Sequence, residues 1–467
     1  VSAPGAALAI GVDVGGTFTD LAAIGADGTV ATRKVPSTPA DQSRGVDDAL
    51  AALAADPATV ARIAHGTTVV TNLLLERTGA RVVLCATAGA TDLLELRRQE
   101  RAALYDLSRP HPDPLVPHGL TVGVRERMAP RGEVVTALDD AAVREAVAQV
   151  LACAPDIVAV CLLHGHESPA HEARLGAALR AARPDLDVVC AHEVLPEIRE
   201  YERTATTVAE AYARPRVARY LDALEERLAA RRLPAPLVVS SSGGMRPARE
   251  AARAAASLAL SGPAGGVAGA AAVCAAAGIT DALTIDIGGT SADVGVVLDG
   301  APLVEAGGEV GGVPIALPRV LVETVSAGGG SIAWVDDGGA LRVGPRSAGA
   351  VPGPACYGRG GTQPTVTDAH VVLGTVKARA FSGGVSLDAD AARDALRPLA
   401  ERLGADIGAV ARAVIATADA TMARALRRVS VERGLDPRQL VLVPFGGGGP
   451  LHACGLAACS CRRTPAC

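Results

Sequence analysis

An α/β fold built from two related halves is what this sequence predicts, on three observations. Short apolar runs alternate with helix-length amphipathic stretches, the rhythm of a parallel sheet with crossover helices. The phrase GVDVGGTFTD at 11–20 comes back as TIDIGGTSAD at 284–293, so a strand, a Gly-Gly-Thr turn and a second strand occur twice. Aromatics make up only 2% of a chain that is 49% apolar, so the core must be Ala, Val, Leu and Ile, which suits strands buried on both faces. With 467 residues, two or three domains and a large core are possible without disulfides or metals.

Residues 8–35 alternate and break at Gly25-Ala-Asp-Gly28, as a strand, a glycine turn and a hairpin would. A helix is expected over 42–55, stopped by Asp56-Pro57. VVLCAT (82–87), IVAVCLLH (157–164), DVVCAHEVL (187–195) and LVVSSSGG (237–244) predict buried strands, and 141–154, 170–182 and 202–230 predict helices. From Ala282 the hairpin layout returns. A Gly/Pro-rich loop zone follows over 327–366, then helices over 391–403 and 407–433, and a last strand, LVLVPF (440–445), that runs into GGGGPLHACGL. The first boundary between halves is expected around 195–235. The domains are taken as 6–200 with the first turn, 201–457 with the second turn and the glycine run, and 458–467 as an atypical tail.

A net charge of −5 and a pI of about 6.0 point to neither a nucleic-acid nor a membrane partner. Lys34 and Lys377 are the only lysines, which reads as coding bias and not function. Ten cysteines without a Cys-x-x-Cys pair predict a reduced, cytoplasmic protein and no metal cluster. The first residues lack the basic start of a secretion signal. Residues 254–280 carry no charge, but they are mostly Ala and Gly around Pro263. They are read as a glycine-rich turn leading into a packed helix, not as a membrane span.

The chemistry lies in the repeated turn. Asp13 between Val12 and Val14, and Asp286 between Ile285 and Ile287, read as carboxylates on buried strands. A lone buried charge costs on the order of several kcal/mol unless it is partnered. A hydrated divalent cation or a strand-end position facing a cleft would meet that need, and Mg2+ suits a few carboxylates with water and phosphate oxygens. Glycines let backbone N–H groups converge on an anion, and a threonine hydroxyl adds a donor. The bland alternative is a hairpin turn whose glycines only supply positive φ. Two copies, each with a trailing carboxylate (Asp20, Asp293), favour a phosphate site. A third glycine run, 446–449, follows the last strand and precedes Pro450, so strand, glycine loop and helix start form another anion- or nucleotide-facing element.

Two Asp-containing phosphate hairpins and a later glycine loop resemble the superfamily of sugar kinases, Hsp70 and actin. Within it, AHGTTVVTNLLLERTGA (64–80), PEIREYERTATTVAEAY (196–212), LSGPAGGVAGA (260–270), SAGGGSIAWVD (326–336) and GAVPGPACYGRGGTQPTVTDAHVVLG (349–374) closely resemble the hydantoinase A/5-oxoprolinase family, over nearly all of residues 8–456. The resemblance implies two halves of the actin/Hsp70/sugar-kinase (ribonuclease H-like) type with ATP in the cleft between them. It also implies an ATP-dependent hydrolase subunit that opens a cyclic amide, of hydantoin or 5-oxoproline type, by phosphorylating the amide oxygen beside a hydantoinase B-type subunit. The alternatives are an ATP-hydrolysing subunit of a ketone carboxylase, and an inactive remnant or nucleotide-gated regulator. On the same resemblance Asp13 lies near the metal, Gly15, Gly16 and Thr17 hold phosphates, and Asp286 binds metal-bound water or acts as base. Gly288, Gly289 and Thr290 hold the second phosphate face, and Gly446, Gly447, Gly448 and Gly449 line the adenosine. ATP and Mg2+ are the cofactors expected.

Other polar residues are weighed beside these. His65 is read as facing substrate or an interface, with a satisfied turn histidine as the alternative. Arg97, Arg98, Gln99, Glu100, Arg101 and Tyr105 resemble a family segment that approaches an acyl or carboxylate group, although a solvated charge run is the commoner meaning. Glu200, Tyr201, Glu202 and Arg203 suggest a helix-start ion-pair network. His164, His166 and His171 suggest surface or capping roles, and Cys356 a small packed residue. Asp20 and Asp293 could cap their own hairpins or join the site. Family subunits continue beyond the Gly-Gly-Pro-Leu-His motif, and ACSCRRTPAC (458–467) does not continue the expected amphipathic helix, so a truncated or frame-shifted product is expected.

Overall fold

The computed structural model describes residues 8–15, 18–38, 41–53, 55–377 and 386–460. The chain forms two compact units, Val1–Gly262 with Glu305–Arg319, and Pro263–Val304 with Val320–Cys467. Residues 201–262, expected with the second half, thus pack in the first.

In the first unit, β1 (Leu8–Val14), β2 (Phe18–Ile24) and β3 (Val30–Pro36) form an antiparallel meander. Helix α1 (Gln42–Leu53) leads to β4 (Val60–Thr67), which pairs parallel to β1, and to α2 (Val69–Glu76). Then come β5 (Val82–Thr87), α3 (Leu93–Leu96), β6 (Thr121–Val124), the small hairpin β7 (Arg127–Met128) and β8 (Val134–Thr136), and α4 (Asp140–Ala152). The chain continues through β9 (Ile157–Cys161), α5 (Ala170–Ala182), β10 (Asp187–Cys190), α6 (Ala191–Val194) and α7 (Glu200–Ala230). Strands β11 (Pro236–Val239) and β12 (Met245–Pro247), then α8 (Ala248–Ala252), complete the run. One sheet has the order β12-β11-β4-β1-β2-β3, and the other, all parallel, β10-β9-β5-β6.

The parallel sheet is apolar on both faces, as near-continuous Val/Ala/Leu runs require. Leu84, Ala86 and Ala159 pack toward α7, while Val83, Cys85, Val158 and Val160 pack among α4 and α5 residues such as Val150, Leu175 and Leu179. Helix α7 serves both sheets. Its residues from Arg203 to Ala213 are buried without a break, and its far end sends Leu224 and Leu228 into the core under β1 and β4.

The second unit opens with α9 (Ser261–Ala276), whose first two residues belong to the first unit. Next come β13 (Ala282–Ile287), β14 (Ala292–Leu298) and β15 (Ala301–Pro302). The hairpin β16 (Val304–Val310) and β17 (Val313–Val320) returns to the first unit. Strands β18 (Val322–Val325), β19 (Ser331–Val335) and β20 (Leu341–Ser347) precede α10 (Val366–Val372), α11 (Ala389–Leu403), α12 (Ile407–Val431), β21 (Val441–Phe445) and α13 (Gly449–Ser460). The sheet order is β15-β14-β13-β21, with β18 also on β14.

The repeat expected from sequence extends to strand register. Asp13 stands opposite Asp20, and Asp286 opposite Asp293. In each unit the first strand lies between its antiparallel partner and a parallel strand, β4 or β21. A third strand then brings Lys34 opposite Asp20, or Thr324 opposite Asp293. The uncharged stretch is helix α9, and among the described residues no helix is long and apolar enough to cross a membrane. Three expectations change. The strand expected over 187–195 ends at Cys190, and residues 191–194 form α6. The loop zone over 327–366 contains the hairpin of β19 and β20. Residues 458–460, read as departing from the helix, continue α13.

Candidate functional site

Both turns place their carboxylates differently from the buried position expected. Val12 and Val14 point into the core, so the strand's period of two turns Asp13 outward, and it is exposed; Asp286 is half-buried near the end of a strand that is buried on both faces up to that point. Asp13 keeps accessible surface, yet its carboxyl is crowded. A Cβ on Gly66 would stand 3.0 Å from Asp13 Oδ1, and one on Gly262 3.7 Å. Loss of water to that crowding, then the charge of Asp20, raise its pKa above the ordinary value, while Lys34 acts the other way. Both carboxylate oxygens of Asp20 accept from Lys34 Nζ, each at 2.7 Å. Asp293 instead accepts from Thr324 Oγ1 at 2.5 Å, and burial raises its pKa.

Gly16 and Thr17 lie outside the described residues. Gly15 is braced by Ser37, whose Oγ donates to its carbonyl at 2.6 Å. Thr68 Oγ1 donates to Val14 O at 3.2 Å, and Ser261 Oγ to Thr67 O at 2.9 Å. Thr68 and Ser261, from the family stretches that begin at 64 and 260, therefore hold the ends of β1 and β4, a role the sequence had not revealed.

The second turn is described throughout. The Gly288 N–H closes it on Ser291 O at 3.0 Å, leaving Gly288, Gly289 and Thr290 exposed. The turn geometry does not account for its glycines, since neither Gly288 nor Gly289 has positive φ. Packing does not account for them either: a Cβ on Gly289 would meet nothing within 4 Å, and one on Gly288 only Ser291 O at 3.5 Å. Gly447 is equally open. Residues whose missing side chains nothing in the protein requires leave a cradle for a group approaching the backbone.

The glycine run after β21 is brought to this same turn. Gly446, at φ 77°, would place a Cβ 2.0 Å from Asp286 Oδ1, and Gly448 N–H donates to Ile287 O at 2.8 Å. Asp286, Gly288, Gly289, Thr290 and Gly446, Gly447, Gly448 and Gly449 thus form one cluster, with the N-terminus of α13 directly after it. A further support was missed by sequence reasoning. The 326–331 segment lies under the turn, with Gly329 N donating to Gly288 O (3.0 Å) and Gly330 N to Gly289 O (2.6 Å). A Cβ on Gly328 would come within 2.8 Å of Gly288 O, so those glycines are needed for packing. Thr367 N and Oγ1 in turn hold Gly329 O, at 2.7 and 2.8 Å.

Below this layer the fully buried Asp368 accepts from Cys356 N (2.8 Å), Ala355 N (3.3 Å), Thr365 N (3.0 Å) and Thr365 Oγ1 (2.7 Å), closing a capping box on α10. Cys356 is buried, and burial raises its thiol's pKa, so it packs and is no nucleophile. Helix α13 is held by a buried chain: Asp419 Oδ1 to His452 Nδ1 (2.6 Å), His452 Nε2 to His370 Nε2 (3.3 Å), and His370 Nδ1 to Thr375 Oγ1 (2.8 Å).

Several polar expectations are corrected. His65 faces neither substrate nor interface. It is 1% exposed, with Nδ1 toward Val12 O (3.2 Å) and Nε2 toward the Tyr220 hydroxyl (2.6 Å), and burial lowers its pKa to about 4. His171 is not at the surface: it bonds Glu126 at 2.7 Å in a buried network that also ties Thr87 Oγ1 to Glu126. The ion pairing expected near 200 is present, since Arg98 grips Glu202 through Nε and Nη2 (2.9 and 2.5 Å). Arg203 is buried, with Nη2 on Leu162 O at 2.5 Å and Nη1 3.5 Å from Glu172. Among the described residues no group of three or more His, Cys, Asp or Glu could hold a metal.

Comparison with known proteins gives consistent relatives. The family described as Hydantoinase/oxoprolinase N-terminal region matches residues 9–182, and Hydantoinase/oxoprolinase matches 203–461. Caprolactamase subunit alpha of Pseudomonas jessenii is 40% identical over 96% of this chain and 66% of its own length. The gamma subunit of acetophenone carboxylase from Aromatoleum aromaticum is 35% identical over 96% of this chain and 64% of its own. The crystal structure of the ATP-dependent caprolactamase of P. jessenii superposes with a TM-score of 0.86 and 37% identity over 96% of this chain and 67% of that one. The nucleotide-free acetone carboxylase structure gives 0.80 and 28% over 97% and 67%. The chain spans about two thirds of the length of these relatives.

Proposed function

Since the chain belongs to the hydantoinase/oxoprolinase family, we propose that it is the ATP-using subunit of an enzyme that opens a cyclic amide by phosphorylating the amide oxygen. The observation that carries the reading is the cluster at the second turn, where neither a positive φ nor a close contact among the described residues requires Gly288, Gly289 or Gly447 to be glycine. The backbone of Gly288, Gly289 and Thr290 would hold phosphate, Gly446, Gly447, Gly448 and Gly449 would line the adenosine, and Asp286 would hold Mg2+ with its water. Asp13, Gly15, Gly16 and Thr17 are proposed as phosphate and metal ligands on the sequence and its repeat. The nucleotide would supply the phosphoryl group that turns a resonance-stabilised amide oxygen into a leaving group. The protein's share is positioning and charge stabilisation, which dominate phosphoryl transfer. The bracing from 326–331 and Asp368 fixes the donor loop before a ligand arrives, the preorganisation such chemistry needs.

A second reading, the ATP-hydrolysing subunit of a ketone carboxylase, has its own support in the superposition on acetone carboxylase. A hydantoinase B-type partner subunit is proposed with either. The deciding test is nucleotide turnover by the native protein and its partner with ε-caprolactam, hydantoin, 5-oxoproline, or a ketone with bicarbonate, for wild type and Asp286→Asn. The cyclic-amide reading expects ADP release stimulated by a lactam and a loss of about a hundredfold or more in the variant. Turnover unaffected by Asp286→Asn would remove that residue from the site, and stimulation only by ketone with bicarbonate would select the second reading.

A further inference from the structure

Helix α13 begins at Gly449, so whatever fixes this helix also fixes the glycine run that leads into it. Its inner side carries His452 and, one turn on, Gly455. His452 is buried, and its Nδ1 lies 2.6 Å from Asp419 Oδ1 of α12. A Cβ on Gly455 would overlap Asp419 Oδ2, so this glycine is what admits the carboxylate to the helix. On the other side, His452 Nε2 meets His370 Nε2 of α10 at 3.3 Å, and His370 Nδ1 meets the Thr375 hydroxyl at 2.8 Å. Apolar packing alone tolerates sliding, whereas a closed buried polar chain admits one register.

Each link pairs one donor with one acceptor. The Asp419 carboxylate takes the Nδ1 proton of His452, which leaves His452 Nε2 an acceptor. His370 then offers Nε2–H, and its Nδ1 accepts from Thr375, whose hydroxyl also lies 2.9 Å from His370 O. Burial, then the neighbouring His452, lower the His370 pKa to about 4, so this imidazole stays neutral. Among the described residues of α10, α11 and α12, no other charge competes. The arginines of α12 and the charged residues of α11 are exposed, and Asp368 spends its oxygens on the α10 cap.

Helix α10 faces two ways. Through His370 it holds α13. Through Thr367 it holds Gly329 O, at 2.7 and 2.8 Å, and the Gly329 N–H holds Gly288 O at 3.0 Å. One short helix thus gives the phosphate turn and the glycine run a common support. We propose that Asp419, His452 and His370 are positioning residues for the adenosine side of the site, their chain setting where 446–449 lies while Thr367 sets the phosphate side. The inference rests on the nucleotide reading above and adds that the two sides are held by separable contacts of one helix.

The test is titration of the full chain with Mg-ADP and with magnesium tripolyphosphate, the second probing the phosphate side alone, beside a thermal melt of each variant. His370→Leu removes the donor to His452. It should weaken ADP about tenfold while tripolyphosphate stays within about twofold. His370→Gln, whose amide can donate to His452, and Asp419→Asn, whose amide oxygen still accepts from it, should each keep ADP within about threefold of wild type. Thr367→Val should weaken both ligands by about fivefold. Nitrogen-15 spectra of the wild-type histidines should show His452 protonated at Nδ1 and His370 at Nε2, and the reverse tautomers overturn the chain whatever the variants do. Equal weakening of both ligands by His370→Leu, or the same ADP loss in His370→Gln, makes the chain a purely structural clamp and overturns the proposal. The two readings fail separately. ADP bound by the wild type and unchanged in His370→Leu discards the positioning role and keeps the nucleotide reading. No ADP binding by the wild type discards the nucleotide reading, and the positioning role with it.

Discussion

Asp13 has a cost that its position makes measurable. A carboxyl whose pKa is raised on folding binds its proton more tightly in the native state, so stability falls as pH rises through the carboxylate range and stays lower above it. Asp13→Asn should therefore raise the denaturation midpoint at pH 7, with the gain vanishing near pH 3. Equal midpoints at pH 7 would show that Lys34 already offsets the crowding. His65 runs the other way. Its folded pKa of about 4 against 6.5 unfolded means its contribution is complete above pH 6.5 and is lost as pH falls toward 4, by at most about 3 kcal/mol. His65→Gln should flatten the stability profile over that window, and an unchanged slope would assign the loss elsewhere. The outward turn of Asp13 follows from alternation about Val12 and Val14, although the sequence alone was read as burying that carboxylate. The place of His65 was not, because its partner Tyr220 lies 155 residues away.

Among elements, the helices and buried strands follow from apolar periodicity, and most were legible to within a few residues. The 326–331 segment was not, because its hydrogen bonds go to Gly288 and Gly289 and not to near neighbours. Its glycines resemble those of the turn in sequence but differ in cause: Gly328 is crowded by backbone, whereas Gly289 faces nothing. Gly328→Ala should thus lower stability and nucleotide affinity together. Gly289→Ala should lower affinity alone, as nucleotide titration beside thermal melts would show, and a destabilised Gly289→Ala would deny it a role reserved for ligand. The capping box on α10 centres on a fully buried carboxyl, that of Asp368. Asp368→Ala leaves buried N–H groups of Ala355, Cys356 and Thr365 without their acceptor, and a loss of about 3–5 kcal/mol in denaturant unfolding is expected. A loss below about 1 kcal/mol would mean that water replaces the carboxylate.

For the whole molecule, the sequence repeat foretold the paired Asp registers but not the division of the chain. A long helix, α7, joins both sheets of the first unit through one uninterrupted buried face, and no local pattern announces which core such a helix serves. The hairpin at 305–319 has a consequence for synthesis. Synthesis delivers the first unit through Gly262, then the strands β13 and β14 of the second unit, and only afterwards the hairpin that completes the first unit's core. The first unit cannot finish folding as it emerges; it must wait, with Val310, Val313 and Ile315 still absent from its core. Nascent chains arrested with residue 304 just outside the exit tunnel should be cut rapidly by protease within the first 262 residues, and chains arrested past 330 should resist. Equal resistance at both lengths would show that the first unit closes its core without the hairpin.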